Sequence, residues 1–188
     1  MKDLSLHLMD ILQNSITAGA SRVDVAITAD AQKDRLTITV SDNGCGMSED
    51  LLHQAANPFT TTRTTRKIGL GIPLFKDSAE AAGGHLNISS SPGKGTRLSA
   101  EFGISHIDRL PLGDVGETLA GVIMSNPNIR WFLVLDNKKE QFCFDTQEVK
   151  ARLAEVPISE YSVIEWIKGY INEGIKIIFG GVLNEVIS

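Results

Sequence analysis

Hydrophobic and polar positions in the first half of the chain follow helical and strand spacing in turn. Apolar side chains recur at helical spacing on one face of residues 3–18, which predicts a helix that ends at Gly19. Alternation of apolar and polar residues predicts two strands after it, Val23–Thr28 and Arg35–Ser41. The patterns further along predict a second set of elements: helices Ser48–Ala55 and Ile72–Ala82, then strands His85–Ser90 and Thr96–Phe102.

The second half of the chain begins with Ile104–Gly113, whose composition is typical of a linker. The elements predicted beyond it are a helix at Val115–Ser125, a hairpin of Arg130–Leu135 and Gln141–Phe144, a helix at Thr146–Leu153 and a long helix after Ser159. One face of that last helix carries an apolar stripe, which is either core or a partner-binding surface. The stripe consists of Val163, Ile167, Tyr170, Ile171 and Ile178.

This order of elements predicts an α/β (α+β) two-layer sandwich, with helices on one face of a mixed sheet and a small C-terminal α/β module. We predict a first domain over residues 1–104, a linker over 105–113 and the module over 114–188. Residues 1–104 carry 10 basic and 11 acidic groups, whereas residues 105–188 carry 8 and 12. The second part is therefore the more acidic one.

Composition excludes several classes of function. The 188 residues are 42% hydrophobic with a net charge of −5, so we expect an ample core and no general binding of nucleic acid. Cys45 and Cys143 fit no metal or disulfide spacing, which favours reduced thiols and a cytoplasmic location. Because no apolar run is long enough to span a bilayer, we expect no membrane partner.

The stretch TVSDNGCGMSE, Thr39–Glu49, places an aspartate and two glycines directly after a predicted strand. Asp42-Asn43-Gly44 is good chemistry for a plain turn. A turn alone does not require Gly46, and no second strand follows at once. Paired glycines also allow something outside the chain to approach the backbone closely, and this stretch alone does not decide between the two readings.

The first predicted helix carries a narrow polar stripe on the side opposite its leucines. Such a stripe is either a solvated face or the lining of a cavity. Asn14 offers a neutral oxygen and Asp10, one turn earlier, a carboxylate, a pair that suits a hard cation such as Mg²⁺. The stripe also contains His7, for which we expect a satisfied structural role, together with Asp3 and Thr17.

A third feature precedes the helix at Ile72–Ala82. The sequence KIGLGIP, Lys67–Pro73, places a basic residue and two glycines directly before a helix start. Backbone N–H groups at such an N-terminus can bind an anion, and glycines allow phosphates to approach. The alternative is a surface loop capped by glycine. Leu51–Lys76 contains four basic residues and no acidic one, a bias that favours an anion.

The order of these motifs resembles the GHKL ATPases, the superfamily of DNA gyrase, the heat-shock chaperone, histidine kinases and the mismatch-repair ATPases. The resemblance covers about residues 3–102. Gln13–Ala20 (QNSITAGA) is most similar to the mismatch-repair members, whereas Gly69–Phe102 is similar to a histidine-kinase catalytic domain. The resemblance to this superfamily implies the Bergerat-type ATP-binding fold, with ATP and Mg²⁺ as cofactors.

The resemblance also implies a role for each matching residue. Asp42 would accept a hydrogen bond from the adenine amino group, Gly44 and Gly46 would let the backbone pass close to the base, and Thr96 would assist at the adenine edge. Asn14 would be the Mg²⁺ ligand.

The phosphates would bind at the glycine-rich segment that precedes the predicted helix Ile72–Ala82. Gly69 and Gly71 would contact them, and Lys67 and Leu70 belong to the same cofactor-binding segment. Asn57–Ile68 would form a mobile lid.

Two departures from the family bear on turnover. Asp10 stands where ATP-hydrolysing members carry a catalytic glutamate, so the candidate general base is one methylene shorter. Ala18 replaces a basic residue found in many histidine kinases.

We predict ATP·Mg²⁺ binding and phosphoryl transfer to a separate protein substrate or regulatory partner. The alternative is a nucleotide-gated binding switch with little turnover. A homodimer is left open, and the net charge disfavours a DNA-directed ATPase.

Overall fold

The computed structural model describes residues 2–56, 70–180 and Leu183. Within these residues the helices are α1 (Leu4–Thr17), α2 (Glu49–Ala56), α3 (Gly71–Ala81), α4 (Val115–Ser125), α5 (Thr146–Leu153) and α6 (Tyr161–Phe179). The strands are β1 (Arg22–Asp30), β2 (Arg35–Asp42), β3 (His85–Ser91), β4 (Gly95–Gly103), β5 (Arg130–Asp136) and β6 (Gln141–Asp145).

The strands form one mixed sheet in the order β3-β4-β2-β1-β5-β6. Every neighbouring pair is antiparallel except β1 and β5, which run parallel and align Val25 with Leu133. A parallel pair needs a crossover connection between its strands. In this chain that connection contains β2, α2, α3, β3, β4 and α4. The predicted α/β fold with a mixed sheet is confirmed.

One face of the sheet is apolar and covered by helices. Cross-strand neighbours on this face, such as Val25, Val40 and Leu98, are all at most 2% exposed. The alternate positions carry polar residues on β1, β2 and β4, including Asp24, Ser41 and Arg97. This alternation gives the sheet one buried face, as expected for a two-layer arrangement.

The first helix begins and ends as its sequence predicts. Asp3 is the N-cap, and its carboxylate accepts a 3.0 Å hydrogen bond from the Leu6 N–H. Beyond the C-cap, Gly19 has a φ of +71°, a left-handed conformation that favours glycine. Leu4, Leu8 and Leu12 are at most 1% exposed, so α1 packs firmly into the core.

The stretch predicted as a linker is closely packed against the first helix. The N–H groups of Leu4 and Ser5 each donate a 2.9 Å hydrogen bond to the carbonyls of Pro111 and Leu112. The strands that follow continue the same sheet beside β1. The boundaries at residues 104 and 113 stay a prediction, but the strands on both sides of them belong to one sheet.

The apolar stripe of the last helix is mostly core. Val163, Ile167, Ile171 and Ile178 are at most 8% exposed, whereas Tyr170 is 42% exposed. Among the described helices, none is both long and apolar enough to cross a membrane.

Candidate functional site

The carboxylate of Asp42 is fixed at the end of β2 by two hydrogen bonds. Its Oδ2 accepts from the Ser15 hydroxyl at 2.9 Å, and its Oδ1 accepts from the Gly44 N–H at 2.9 Å. A carboxylate has about four acceptor sites. The side chain is only partly exposed, and it keeps acceptor capacity for a further donor such as an amine.

Two hydroxyl residues lie beside Asp42 on the same face of the sheet. Cross-strand pairing places Thr96 opposite Asp42 and Ser90 opposite Thr96. The Ser90 hydroxyl donates to the Gly95 carbonyl at 2.9 Å and accepts from the Met47 N–H at 2.8 Å. Since its one hydrogen is used, Thr96 is the donor in their 2.9 Å contact. The Thr96 hydroxyl is therefore left as an acceptor.

The glycines of the Asp42–Gly46 stretch are required by the chain's own backbone. Gly46 has a φ of +67°, and a Cβ there would lie 2.0 Å from the Ser91 carbonyl oxygen. A Cβ at Gly44 would lie 2.7 Å from the Cβ of Ala18. Contacts within the chain are therefore sufficient to require these glycines, and the approach of a base to this backbone stays a prediction. The stretch is an irregular connection that leads from β2 into α2.

The same loop is clamped from both sides by backbone hydrogen bonds. The Cys45 N–H donates to the Ala18 carbonyl at 2.9 Å, and the Cys45 carbonyl accepts from the Gly93 N–H at 2.8 Å. The Asn43 side chain accepts from the N–H groups of Ser21 and Arg22, each at 2.9 Å. The loop after Asp42 is thus held between the end of α1 and the β3–β4 turn.

The polar stripe on α1 divides into a buried and an exposed part. His7 is 4% exposed and stacks on Phe75 with ring centroids 5.3 Å apart, and its Nδ1 has no hydrogen-bond partner within the described residues. Asp10 is partly exposed, and Asn14 is exposed with no hydrogen bond from its side chain in the described part of the chain. The Asn14 amide is therefore available to a ligand.

Burial is the main influence on the pKa of His7. It lowers the pKa of the imidazole below its ordinary value, and the N-terminal amine adds to this effect. The nearby carboxylates of Asp10 and Asp3 oppose the shift. The neutral ring is consistent with the face-to-face stack on Phe75. The expected structural role fits this burial, but Nδ1 has no hydrogen-bond partner within the described residues, so the histidine is not satisfied as expected.

The start of α3 lies directly against Asp10. A Cβ at Gly71 would be 2.8 Å from the Asp10 Cβ and 3.3 Å from its Oδ2, so glycine is required for this approach. Leu70, the N-cap position, is 66% exposed and makes no side-chain cap. Lys67 and Gly69, like the predicted lid at Asn57–Ile68, lie outside the described residues.

The structure thus brings Asp42, Thr96 and the end of α1 together, and it places Gly71 of α3 against Asp10 earlier on α1. Sequence reasoning missed Ser15, which joins two of these elements, and Ser90, which orients Thr96. Ser15 directly follows Asn14 in the motif, and that adjacency is the signal that could have found it.

A polar cavity of about 340 Å³ adjoins the ends of β2, β3 and β4. Asp42 and Thr96 contribute to its lining, as do two cations, Lys94 and Arg97. The Arg97 guanidinium donates to the Ser41 hydroxyl at 3.1 Å. Sequence reasoning considered neither cation.

Comparison with known proteins identifies the family of this chain. The sequence profile of the family described as histidine kinase-, DNA gyrase B-, and HSP90-like ATPases matches residues 2–106. The chain belongs to this family, which confirms the resemblance drawn from the motifs.

Two curated relatives match about half of this chain. The chain is 35% identical over 91 residues to the sensor protein DegM of Bacillus sp. (strain B21-2), covering 48% of this chain and 24% of the relative. It is 31% identical over 111 residues to the non-motile and phage-resistance protein of Caulobacter vibrioides, covering 54% of this chain and 13% of the relative. The chain therefore spans a quarter or less of the length of these relatives.

A solved structure shares the fold. The N-terminal domain of a DNA repair protein superposes with a TM-score of 0.54 at 14% identity, covering 76% of this chain and 52% of that one. At this identity the likeness concerns the fold alone.

Proposed function

We propose that this chain binds ATP with Mg²⁺ between α1, α3 and the ends of β2 and β4, and transfers the γ-phosphoryl group to a separate protein. The observation that carries the proposal is the Asp42 carboxylate, which is oriented by Ser15 and Gly44 yet retains acceptor capacity. A fixed acceptor at this place suits the exocyclic amine of adenine and would reject a base that presents a carbonyl there.

Thr96 completes the edge of the base pocket in this proposal. Its hydroxyl donates to Ser90 and is left as an acceptor, so it would receive a hydrogen bond from the base or from a bridging water. Gly44 and Gly46 act indirectly, because they allow the loop to pack tightly enough to hold Asp42 in place.

The donor set on α1 fits a magnesium ion. Asn14 presents an exposed amide oxygen with no competing partner in the described residues. Mg²⁺ is bound in such sites through one or two protein oxygens together with phosphate oxygens and water. When bound, the ion neutralises charge on the phosphates. Asn14 would hold and orient it.

The phosphates would lie at the N-terminus of α3. The N–H groups of its first residues have no partner within the helix, and the helix dipole adds positive potential there. Gly71 and Leu70 provide this backbone, and Lys67 and Gly69 are proposed to extend it. Asp10 would accept a proton from the attacking group beside the γ-phosphate.

The test is a titration of ATP by calorimetry with wild type and Asp42→Asn. Replacing the acceptor by an amide leaves the adenine amine facing a donor or an unpaired site, which costs about 1–3 kcal/mol. We expect at least about a tenfold loss of ATP affinity, since about 1.4 kcal/mol is a factor of ten. Unchanged affinity, or a preference of the wild type for GTP, would refute the base pocket.

A nucleotide-gated binding switch is the second candidate. The Asp10 carboxylate lies against the first residue of α3, with Oδ2 3.3 Å from the position of a Gly71 Cβ. A short carboxylate held there has little reach toward an attacking water, which favours slow turnover. Transfer of label from γ-labelled ATP to a candidate partner protein separates the two functions.

A further inference from the structure

A cavity of about 330 Å³ lies between α5 and α6, far along the chain from every residue of the proposed ATP site. Phe144 of β6 contributes to its lining, as do Val149 and Leu153 of α5 and Trp166 and Tyr170 of α6. Its walls are thus mainly apolar, as is typical of binding cavities.

The aromatic wall is large and half uncovered. Trp166 is 52% exposed and Tyr170 is 42% exposed, and their rings stack at 5.0 Å with an angle of 12° between their planes. The Phe142 ring also contacts Tyr170, with their centroids 5.0 Å apart, and this contact helps to hold the pair in position. Exposed, preordered aromatic side chains of this kind are typical anchors of protein interfaces.

The opposite wall of the cavity is formed by α5, and its apolar side chains are also partly exposed. Thr146 is the buried residue of α5, whereas Val149 and Leu153 are only partly buried and line the cavity. The apolar side of α5 therefore packs against the core and also faces the groove.

The groove opens along an edge of the sheet. In the described part of the chain β6 pairs with β5 alone, so its outer backbone groups have no strand partner. Three consecutive residues of this edge strand, Cys143, Phe144 and Asp145, line the cavity. An extended peptide can pair with such an edge while alternate side chains enter the adjacent groove.

Charge around the groove favours a basic occupant. The Asp145 carboxylate is paired with Arg130, whose Nε lies 3.1 Å from Oδ1. Glu148 on the rim and Glu173, one turn after Tyr170, have no ion pair within the described residues. Two cations, Arg152 in the lining and Arg130 beside Asp145, also act on Glu148, so the acidic excess comes from Glu173 and from residues 105–188 as a whole, which carry 12 acidic against 8 basic groups.

We propose that this groove and the outer edge of β6 bind an extended, basic segment of a partner protein. The segment adds a strand to β6 and places an apolar side chain against Trp166 and Tyr170. The inference deepens the proposed function by describing its protein partner, and it uses none of the ATP-site residues.

The first test uses a phage-displayed library of random linear peptides, selected on the full chain and counter-selected on Trp166→Ala. We expect enriched sequences that alternate apolar residues and carry an excess of Lys and Arg. Enrichment of acidic peptides, apolar residues at helical spacing, or no enrichment that depends on Trp166 would overturn the proposal.

Binding of the enriched peptide, synthesised with a fluorescent label, is then measured by anisotropy. We expect Trp166→Ala to weaken it at least tenfold and Tyr161→Ala, an exposed aromatic at the start of the same helix, to leave it unchanged. Replacing a central residue by its N-methyl form should abolish binding, because strand addition needs that N–H. If wild type and Trp166→Ala bind the peptide equally well, or if the N-methyl peptide binds as tightly as the unmodified one, binding of the peptide in this groove is refuted.

Two further measurements separate the outcomes. Bound peptide should protect the Cys143 thiol from alkylation but not Cys45, since both are exposed in the free chain. Asp42→Asn should bind peptide normally and Trp166→Ala should bind ATP normally, so a failed ATP assay leaves this test intact. Self-association that is lost in Trp166→Ala would instead show a second copy in the groove and overturn the proposal.

Discussion

The hydroxyl of Ser15 donates a 2.9 Å hydrogen bond to Oδ2 of Asp42, and this contact joins the last turn of α1 to the end of β2. Ser15 is 2% exposed, so the bond is largely shielded from water. It couples the residue that we propose for adenine to the helix that carries the proposed magnesium ligand.

Removing this hydroxyl should weaken ATP binding without touching the nucleotide directly. In Ser15→Ala the Asp42 carboxylate loses one of its two orienting donors, and we expect ATP affinity to fall about three- to tenfold. Calorimetry measures the change. Thr17→Ala is the matched control, since Thr17 is exposed on the same helix and its hydroxyl donates to the Gln13 carbonyl at 2.8 Å. Equal effects of both substitutions would show a general loss of helix stability.

The proposed magnesium ligand predicts an ion-specific loss. Asn14→Ala should reduce the Mg²⁺-dependent part of ATP affinity by about tenfold and leave binding in EDTA nearly unchanged, because the amide would contact the ion and not the phosphates. Gln13→Ala removes a neighbouring exposed amide and should have no effect. Affinities that fall equally with and without Mg²⁺ would contradict the assignment.

Substitution of Asp10 distinguishes a phosphoryl-transfer enzyme from a nucleotide-gated binding switch. If its carboxylate takes the proton of the attacking group, Asp10→Asn should lower single-turnover hydrolysis about 10²–10⁴-fold while ATP affinity stays nearly constant. We expect slow but measurable hydrolysis by the wild type. A wild type with no turnover would favour the switch, and a parallel loss of affinity and rate would assign Asp10 to the ordering of Mg²⁺ through water.

His7 predicts a pH dependence of stability. Burial lowers the pKa of the folded imidazole below 6.5, so the unfolded chain takes up a proton at a higher pH than the folded chain does. The free energy of unfolding should therefore fall as pH drops below about 6.5, by at most about 1.4 kcal/mol per pH unit for one group.

Urea unfolding between pH 5 and 8 measures this slope. His7→Phe keeps a ring against Phe75 but cannot take a proton, so its slope in this range should be flatter than that of the wild type. His53→Gln, at an exposed position of α2, should keep the wild-type profile. An unchanged slope in His7→Phe would show that another group controls the acid sensitivity.

Local patterns were sufficient to predict the elements but not how they meet. Apolar spacing predicted a helix over residues 3–18, and the structure has Leu4–Thr17, because helix periodicity and the Asp3 cap are properties of adjacent residues. The bond from Ser15 to Asp42 joins residues 27 positions apart, and no local pattern reports such a contact.

The glycines show a second limit of sequence reasoning. Their presence after β2 signalled a close approach, but the sequence could not show what approaches. At Gly46 it is the Ser91 carbonyl, a group more than forty residues along the chain. The parallel pairing of β1 with β5 was equally hidden, since alternation identifies a strand and not its partner.

That parallel pairing joins the two halves of the chain in one sheet, and we expect them to unfold as one cooperative unit. A chain ended at residue 106 would leave β1 as an outer strand and would remove Trp131, Leu133 and Leu135 from the core. Amide protons of β1 and β5 should therefore exchange with solvent at matched rates, through a single opening of the whole sheet. The nucleotide-binding half would then depend for its folding on a segment beyond the residues that define its family.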